Sequence, residues 1–233
     1  MILFNDRIDA GTKLSGKIHL GKDEKKPIVL GIPRGGIAVG YPIASKLRSP
    51  LEPVTLRKLP IPQNDQMGFG AVTLDRKVIL NTRLVDAGYV RREEIDAVVD
   101  EVYEEVLRRD RIYRGSQPFP ELTGRTVLIV DDGLATGFTM LAAIGFARDR
   151  GAMKIICAVP VAHDAAYGLI EREVDSIVCL HVDRGFSFAV ASFYRDFPDM
   201  DDGEVVSLLR RIRGKTGNRL HLPSRGNTQA DAS

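Results

Sequence analysis

Apolar positions along this chain follow two rhythms, and the switches between them mark its elements. Val127, Leu128, Ile129 and Val130 form an unbroken apolar run, the pattern of a strand covered on both faces. Residues 28–32, 54–58, 154–160 and 176–181 read as further strands. Elsewhere the period lengthens. Ile95, Val98, Val99, Val102 and Val106 recur at three- and four-residue steps and predict a long amphipathic helix over residues 91–113. Shorter helices are predicted over 37–47, 138–150, 165–172 and 202–213, and another within 6–20. Pro42 fits only near a helix start, which leaves the beginning of the 37–47 helix unfixed. Residues 71–80 predict a hairpin turning at Asp75 and Arg76. Alternating strands and helices predict an α/β fold, a mostly parallel central sheet with helices on both faces. Ligands in such sheets bind beyond the carboxyl ends of the strands.

Two stretches have neither rhythm. LPIPQNDQMGFG, residues 59–70, carries Pro60, Pro62, Gly68 and Gly70 and predicts a long loop, of the kind that serves as a lid or binding segment. Residues 214–233 lose all periodicity and predict a flexible tail, leaving residues 1–213 as a single domain.

Composition narrows the class. A chain of 233 residues, 44% hydrophobic and 27% charged, has enough material for one substantial globular core. Its formal charge of +2 gives no general basic field, so nucleic acid is not an expected partner. Arg210, Arg211, Arg213, Lys215 and Arg219 read as a solvated helix end and tail. Cys157 and Cys179 lie in apolar runs and read as reduced core residues. The N-terminus turns polar after four residues, and no apolar stretch approaches the ~20 residues of a membrane span. A soluble, cytoplasmic protein with no membrane partner is expected, and self-association stays open.

The candidate chemistry sits after the 127–130 strand, in VLIVDDGLATGFT. Gly133, Ala135, Thr136 and Gly137 let the backbone turn tightly and approach a ligand, and a helix follows. Its amides and dipole can receive a phosphate. Asp131 and Asp132 can accept hydrogen bonds from hydroxyls or hold a divalent cation. A second glycine-bearing turn, Pro33-Arg34-Gly35-Gly36, follows the 28–32 strand. By contrast GTKLSGKI, residues 11–18, only nearly matches a phosphate-binding GxxxxGK[ST] loop. Ile18 stands where a hydroxyl residue would hold magnesium, and coincidence is the better reading.

VLIVDDGLATGFT resembles the phosphoribosyl-diphosphate signature of the type I phosphoribosyltransferases, and GIPRGG resembles their pyrophosphate loop. Arg57-Lys58 with the Pro/Gly-rich stretch after it resembles the start of a mobile catalytic lid. The resemblance covers roughly residues 28–181 and is nearest to a less characterised bacterial and archaeal branch, which has FGAVTLD after the lid. It implies a fold with a small hood, for which 1–27 and 182–200 are the candidate segments. It implies magnesium-dependent transfer from 5-phospho-α-D-ribose 1-diphosphate to a nitrogen acceptor, a nucleobase, with release of pyrophosphate. Asp131 and Asp132 would face the ribose hydroxyls and hold Mg2+ directly or through hydroxyls and water. Gly133, Ala135, Thr136, Gly137, Phe138 and Thr139 would cradle the 5′-phosphate. Pro33, Arg34, Gly35 and Gly36 would receive the pyrophosphate, and Lys58 with Arg57 would add charge from the lid. Asp65-Gln66 departs from a Pro-Glu pair of that branch, so no catalytic base is assigned in the lid.

Other readings explain less. Receiver domains also place two acids after a strand, but they do not account for GIPRGG. No GxGxxG follows the first strand, which disfavours a dinucleotide fold. His163 and His181 read as structural. A regulator that senses the diphosphate sugar without turning it over is the competing function; an added helix-turn-helix or dense basic face would favour it, and neither is obvious.

Overall fold

The computed structural model describes residues 1–21, 27–62 and 64–215, with 64–67 and 215 as backbone only. The chain begins with α1 (Arg7–Ser15), β1 (Ile28–Gly31), α2 (Gly35–Leu47) and β2 (Leu51–Pro53). Then come β3 (Leu56–Ile61), β4 (Asn64–Thr73), β5 (Val78–Leu80), α3 (Thr82–Asp86) and α4 (Arg92–Arg114). The remainder is β6 (Thr126–Val130), α5 (Phe138–Asp149), β7 (Lys154–His163), α6 (Asp164–Glu171), β8 (Ser176–Asp183), a 3-10 turn (Val190–Phe193) and α7 (Asp202–Lys215).

Five strands form the central sheet in the order β2-β1-β6-β7-β8, all parallel. The apolar run of β6 serves two cores at once. Val127 and Ile129 join Met140 and Phe146 of α5, whereas Leu128 and Val130 join Ile37 and Ile43 of α2 with Leu209 and Ile212 of α7. Burying each such side chain is worth roughly 1.5–3 kcal/mol. A three-stranded antiparallel sheet, β3-β4-β5, forms the small hood and packs on α4 through Leu59, Phe69, Val72, Val99 and Val106. The 71–80 hairpin and the 91–113 helix therefore stand where the patterning puts them.

Four local expectations change. The single strand expected over 54–58 falls across a junction between sheets: β2 of the central sheet ends at Pro53, with Val54 still donating to Gly31 O, and β3 begins at Leu56, which pairs with Thr73. The expected 59–70 loop is mostly the β3–β4 hairpin. Pro60 is tolerated because β3 is an edge strand with register shifts on both sides of it. Pro42 lies inside α2, which starts at Gly35, so packing overrides its intrinsic cost of about 3 kcal/mol. Gly214 and Lys215 finish α7, and the rest of the expected tail falls outside the described residues. The phosphate-loop look-alike is confirmed as coincidence. Gly11 is in α1, where a Cβ would meet Val39 O at 2.2 Å, so the glycine serves a helix crossing.

Candidate active site

The carboxyl ends of β1 and β6 lie side by side, with Gly31 opposite Val130, and this register brings the two glycine-bearing turns together. A Cβ on Gly36 would lie 2.5 Å from Val130 O and 3.1 Å from Asp131 Cα. On Gly35 it would lie 1.9 Å from Asp132 Oδ2. Only glycine lets the 33–36 turn press against the acids. The Pro33–Arg34 peptide is cis. The Gly36 N–H donates to Ile32 O, whereas those of Arg34 and Gly35 have no acceptor among the described residues. The Arg34 guanidinium has no carboxylate partner among them either.

Asp131 Oδ1 accepts the N–H of Asp132 at 2.9 Å. Burial pushes the Asp131 carboxyl well above the ordinary aspartate range, and the charge of Asp132 adds to it. Burial also raises Asp132, with Arg7 pulling against the rise. Arg7 Nε lies 2.8 Å from Asp132 Oδ2. Tyr194 donates its hydroxyl to Asp132 O at 2.7 Å, and burial followed by the Asp132 charge keeps that phenol protonated.

The next turn is pinned at one residue and open at the others. Leu134 bridges β7, donating to Val161 O and accepting from His163 N, both at 2.9 Å. Gly133 packs where a Cβ would lie 2.7 Å from both methyls of Val190. Gly137 has φ of +83°, a conformation that favours glycine, and it caps α5. The N–H groups of Ala135, Thr136 and Gly137 have no acceptor among the described residues. Those of Phe138 and Thr139 belong to the first helical turn, beyond reach of any helical carbonyl. Five backbone donors thus lie in succession at a helix N-terminus, an arrangement able to receive a phosphate dianion.

A cavity of about 330 Å3 opens over this turn, with Lys58, Gly68, Gly70 and Asn81 of the hood side facing Gly133 and Ala135–Thr139. The Lys58 stem crosses Gly68, whose Cβ would meet Lys58 Cγ at 2.2 Å. Arg57, on the opposite side of β3, instead reaches Glu105 of α4 at 3.0 Å. Glu105 also binds Arg108 and Arg109.

A family model, the phosphoribosyl transferase domain, matches residues 4–197. The chain belongs to that family. A phosphoribosyl transferase domain accounts for the sheet, for the two turns at its carboxyl edge and for the capping hairpin. Two curated sequences of a Mycobacterium tuberculosis protein, from strains CDC 1551 and H37Rv and provisionally named phosphoribosyl transferase, are each 40% identical over 212 residues. The match takes in 91% of this chain and 47% of theirs, so the chain spans about half the length of the curated relatives it matches. The crystal structure of TT1426 from Thermus thermophilus superposes with a TM-score of 0.73 at 31% identity, covering 90% of this chain and 99% of that one.

The family typically uses magnesium, and the donor set here fits it. No group of three His, Cys, Asp or Glu that could hold a metal occurs among the described residues. Mg2+ is usually held by one or two carboxylates with its shell completed by water and substrate oxygens, which Asp131 and Asp132 could supply with a phosphorylated ligand. Among the described residues no helix is long and apolar enough to cross a membrane. His163 and His181 have ring neighbours in Phe188 and Phe193 at 5.7 and 5.4 Å. Sequence reasoning missed Arg7, Tyr194 and Glu105. The only signal at Arg7 is its place in FNDRID, just inside a helix capped by Asp6, which says nothing about a partner so distant in the chain.

Proposed function

We propose that this chain is a phosphoribosyltransferase that moves the phosphoribosyl group of 5-phospho-α-D-ribose 1-diphosphate to a nitrogen of a nucleobase, with Mg2+ and with release of pyrophosphate. One observation carries the reading: five backbone donors at 135–139 stand beside an acid pair that itself touches the 33–36 turn. A ligand with phosphate at one end, vicinal hydroxyls in the middle and pyrophosphate at the other has a partner for each part.

Breaking the bond from the anomeric carbon to pyrophosphate builds positive charge on the sugar and negative charge on the departing oxygens. Catalysis then rests on preorganised charge. Arg34, with the free N–H groups of Arg34 and Gly35, would stabilise the departing pyrophosphate. Lys58 would add charge from the hood side of the cavity, and Asp131 would accept the ribose hydroxyls. Bound Mg2+ would neutralise charge on the leaving group. The β3–β4 hairpin would exclude water that otherwise hydrolyses the sugar.

The acceptor would enter between the cavity and the two segments that meet at Phe4 and Tyr194. Support for that pairing of segments comes from the bridge between Phe4 and Tyr194 and from the cluster of Phe4, Val161, Phe193 and Tyr194. The test is a nucleobase panel with the diphosphate sugar and Mg2+, following pyrophosphate release. Turnover with one or more bases is expected. Tight sugar binding without turnover on any base would replace this reading with a sugar-sensing regulator.

A further inference from the structure

The two acids of the signature are not equivalent. Asp132 carries a cation on its side chain, and Asp131 has none among the described residues. That cation comes from far away in the chain. Arg7 is buried, with 9% of its surface exposed, and its guanidinium makes three contacts. Nε binds Asp132 Oδ2 at 2.8 Å, Nη1 donates to Pro198 O at 2.8 Å, and the plane lies 3.6 Å over the Phe197 ring centroid. Gly35 closes the remaining side, since a Cβ there would lie 2.9 Å from Arg7 Nε. Helix α1, the 33–36 turn, the acid turn and the segment after β8 therefore meet at one ion pair.

Breaking a buried pair strands a charge, so this contact fixes geometry more firmly than a surface bridge would. We propose that Arg7 is a positioning residue: it holds Asp132 Oδ2 between the N-terminal segment and residues 197–198, and so sets how the acid pair is presented to the ligand. The N-terminal helix then becomes part of the site although it contributes no group to the sugar. This role rests on the proposed function for its ligand, but the clamp itself can be tested without one.

The experiment combines thermal unfolding with calorimetric binding of 5-phospho-α-D-ribose 1-diphosphate and Mg2+, using wild type, R7A, R7K, D131N, D132N and the R7A/D132N double variant. In unfolding, the double variant should lose no more than the larger single loss, because both changes remove one interaction. In binding at a temperature where all variants are folded, D131N should lose at least about a hundredfold. R7A should lose about tenfold, and the double variant should lose no more than D132N alone, because Arg7 acts through Asp132. R7K keeps the charge but not the planar fork or stack, so it should recover part of the R7A loss and stands in if R7A does not fold. Wild-type affinity in R7A, or additive losses in the double variant, would overturn the proposal. A wild type that binds no sugar would count against the proposed function instead, and additive unfolding losses would then overturn the clamp by themselves.

Discussion

Arg57 Nη1 lies 3.0 Å from Glu105 Oε1, so one of two adjacent cations on β3 is committed to α4 while Lys58 lines the cavity. Successive strand residues point to opposite faces, which makes the division a property of the pleat. Lys58→Ala should weaken binding of the diphosphate sugar about a hundredfold, the usual scale of one lost electrostatic contact. Arg57→Ala should weaken it less than tenfold, in the same titration. Equal losses would mean that Arg57 leaves Glu105 when the ligand binds.

Glu105 also makes stability depend on pH in a defined window. Arg108 and then Arg109 hold its carboxyl down at about 2, against burial, compared with an ordinary value of 4.5. A depressed folded-state value means stability that is fully present above 4.5 and lost as pH falls toward 2. Urea midpoints measured from pH 6 down to pH 2 should fall across this window in the wild type. Glu105→Gln should start lower and flatten that part of the profile.

Close contact at the 33–36 turn leaves no room for a methyl group. Gly35→Ala puts a Cβ 1.9 Å from Asp132 Oδ2, so either the turn or the ion pair must shift. The expected cost is about 1–3 kcal/mol of stability, with loss of sugar binding beyond what the stability change explains. Chemical unfolding and calorimetry on the same sample separate the two effects. Gly145→Ala, in the interior of α5 with nothing within 4 Å of the new Cβ, is the control: it should leave binding unchanged and raise stability by about 0.5–1 kcal/mol.

The core at the site's base has its own signature. Leu128 is fully buried and packs against α2 and α7. Leu128→Ala should cost about 2–5 kcal/mol by denaturant unfolding, the range for truncating a well-packed leucine. Since β6 carries the acid turn, activity should fall only as far as the folded population does.

What the sequence made legible follows from how local each determinant is. The run Val127–Val130 and the stripe Ile95, Val98, Val99, Val102 and Val106 are contiguous or periodic, so burial could be read directly from them. The two turns were legible because glycines mark close backbone approach. The split at Val54–Leu56 was not, because an apolar run does not say which sheet it joins. Hairpin β3–β4 was hidden by Pro60 and Gly68, residues that break local patterns but are accommodated by an edge strand and by the Lys58 stem. Arg7 was hidden for a different reason. Its role depends on Asp132, 125 residues away, and on Phe197, and no local pattern encodes such a meeting.

Asp131 and Arg34 face opposite ends of the proposed ligand, one at the hydroxyls and one at the leaving group. Asp131→Asn and Arg34→Ala should each lower turnover at least a hundredfold, about 3 kcal/mol of transition-state stabilisation. Initial rates of pyrophosphate release check both, and full turnover in either variant would remove that residue from the mechanism.

The most direct test of the whole account is a crystal structure of the protein with 5-phospho-α-D-ribose 1-diphosphate and Mg2+. The predicted result places the 5′-phosphate on the amides of Ala135, Thr136, Gly137, Phe138 and Thr139, the ribose hydroxyls on Asp131, and the pyrophosphate at Arg34 and Gly35. A ligand bound elsewhere, or one reversed so that its pyrophosphate occupies the 135–139 turn, would contradict it.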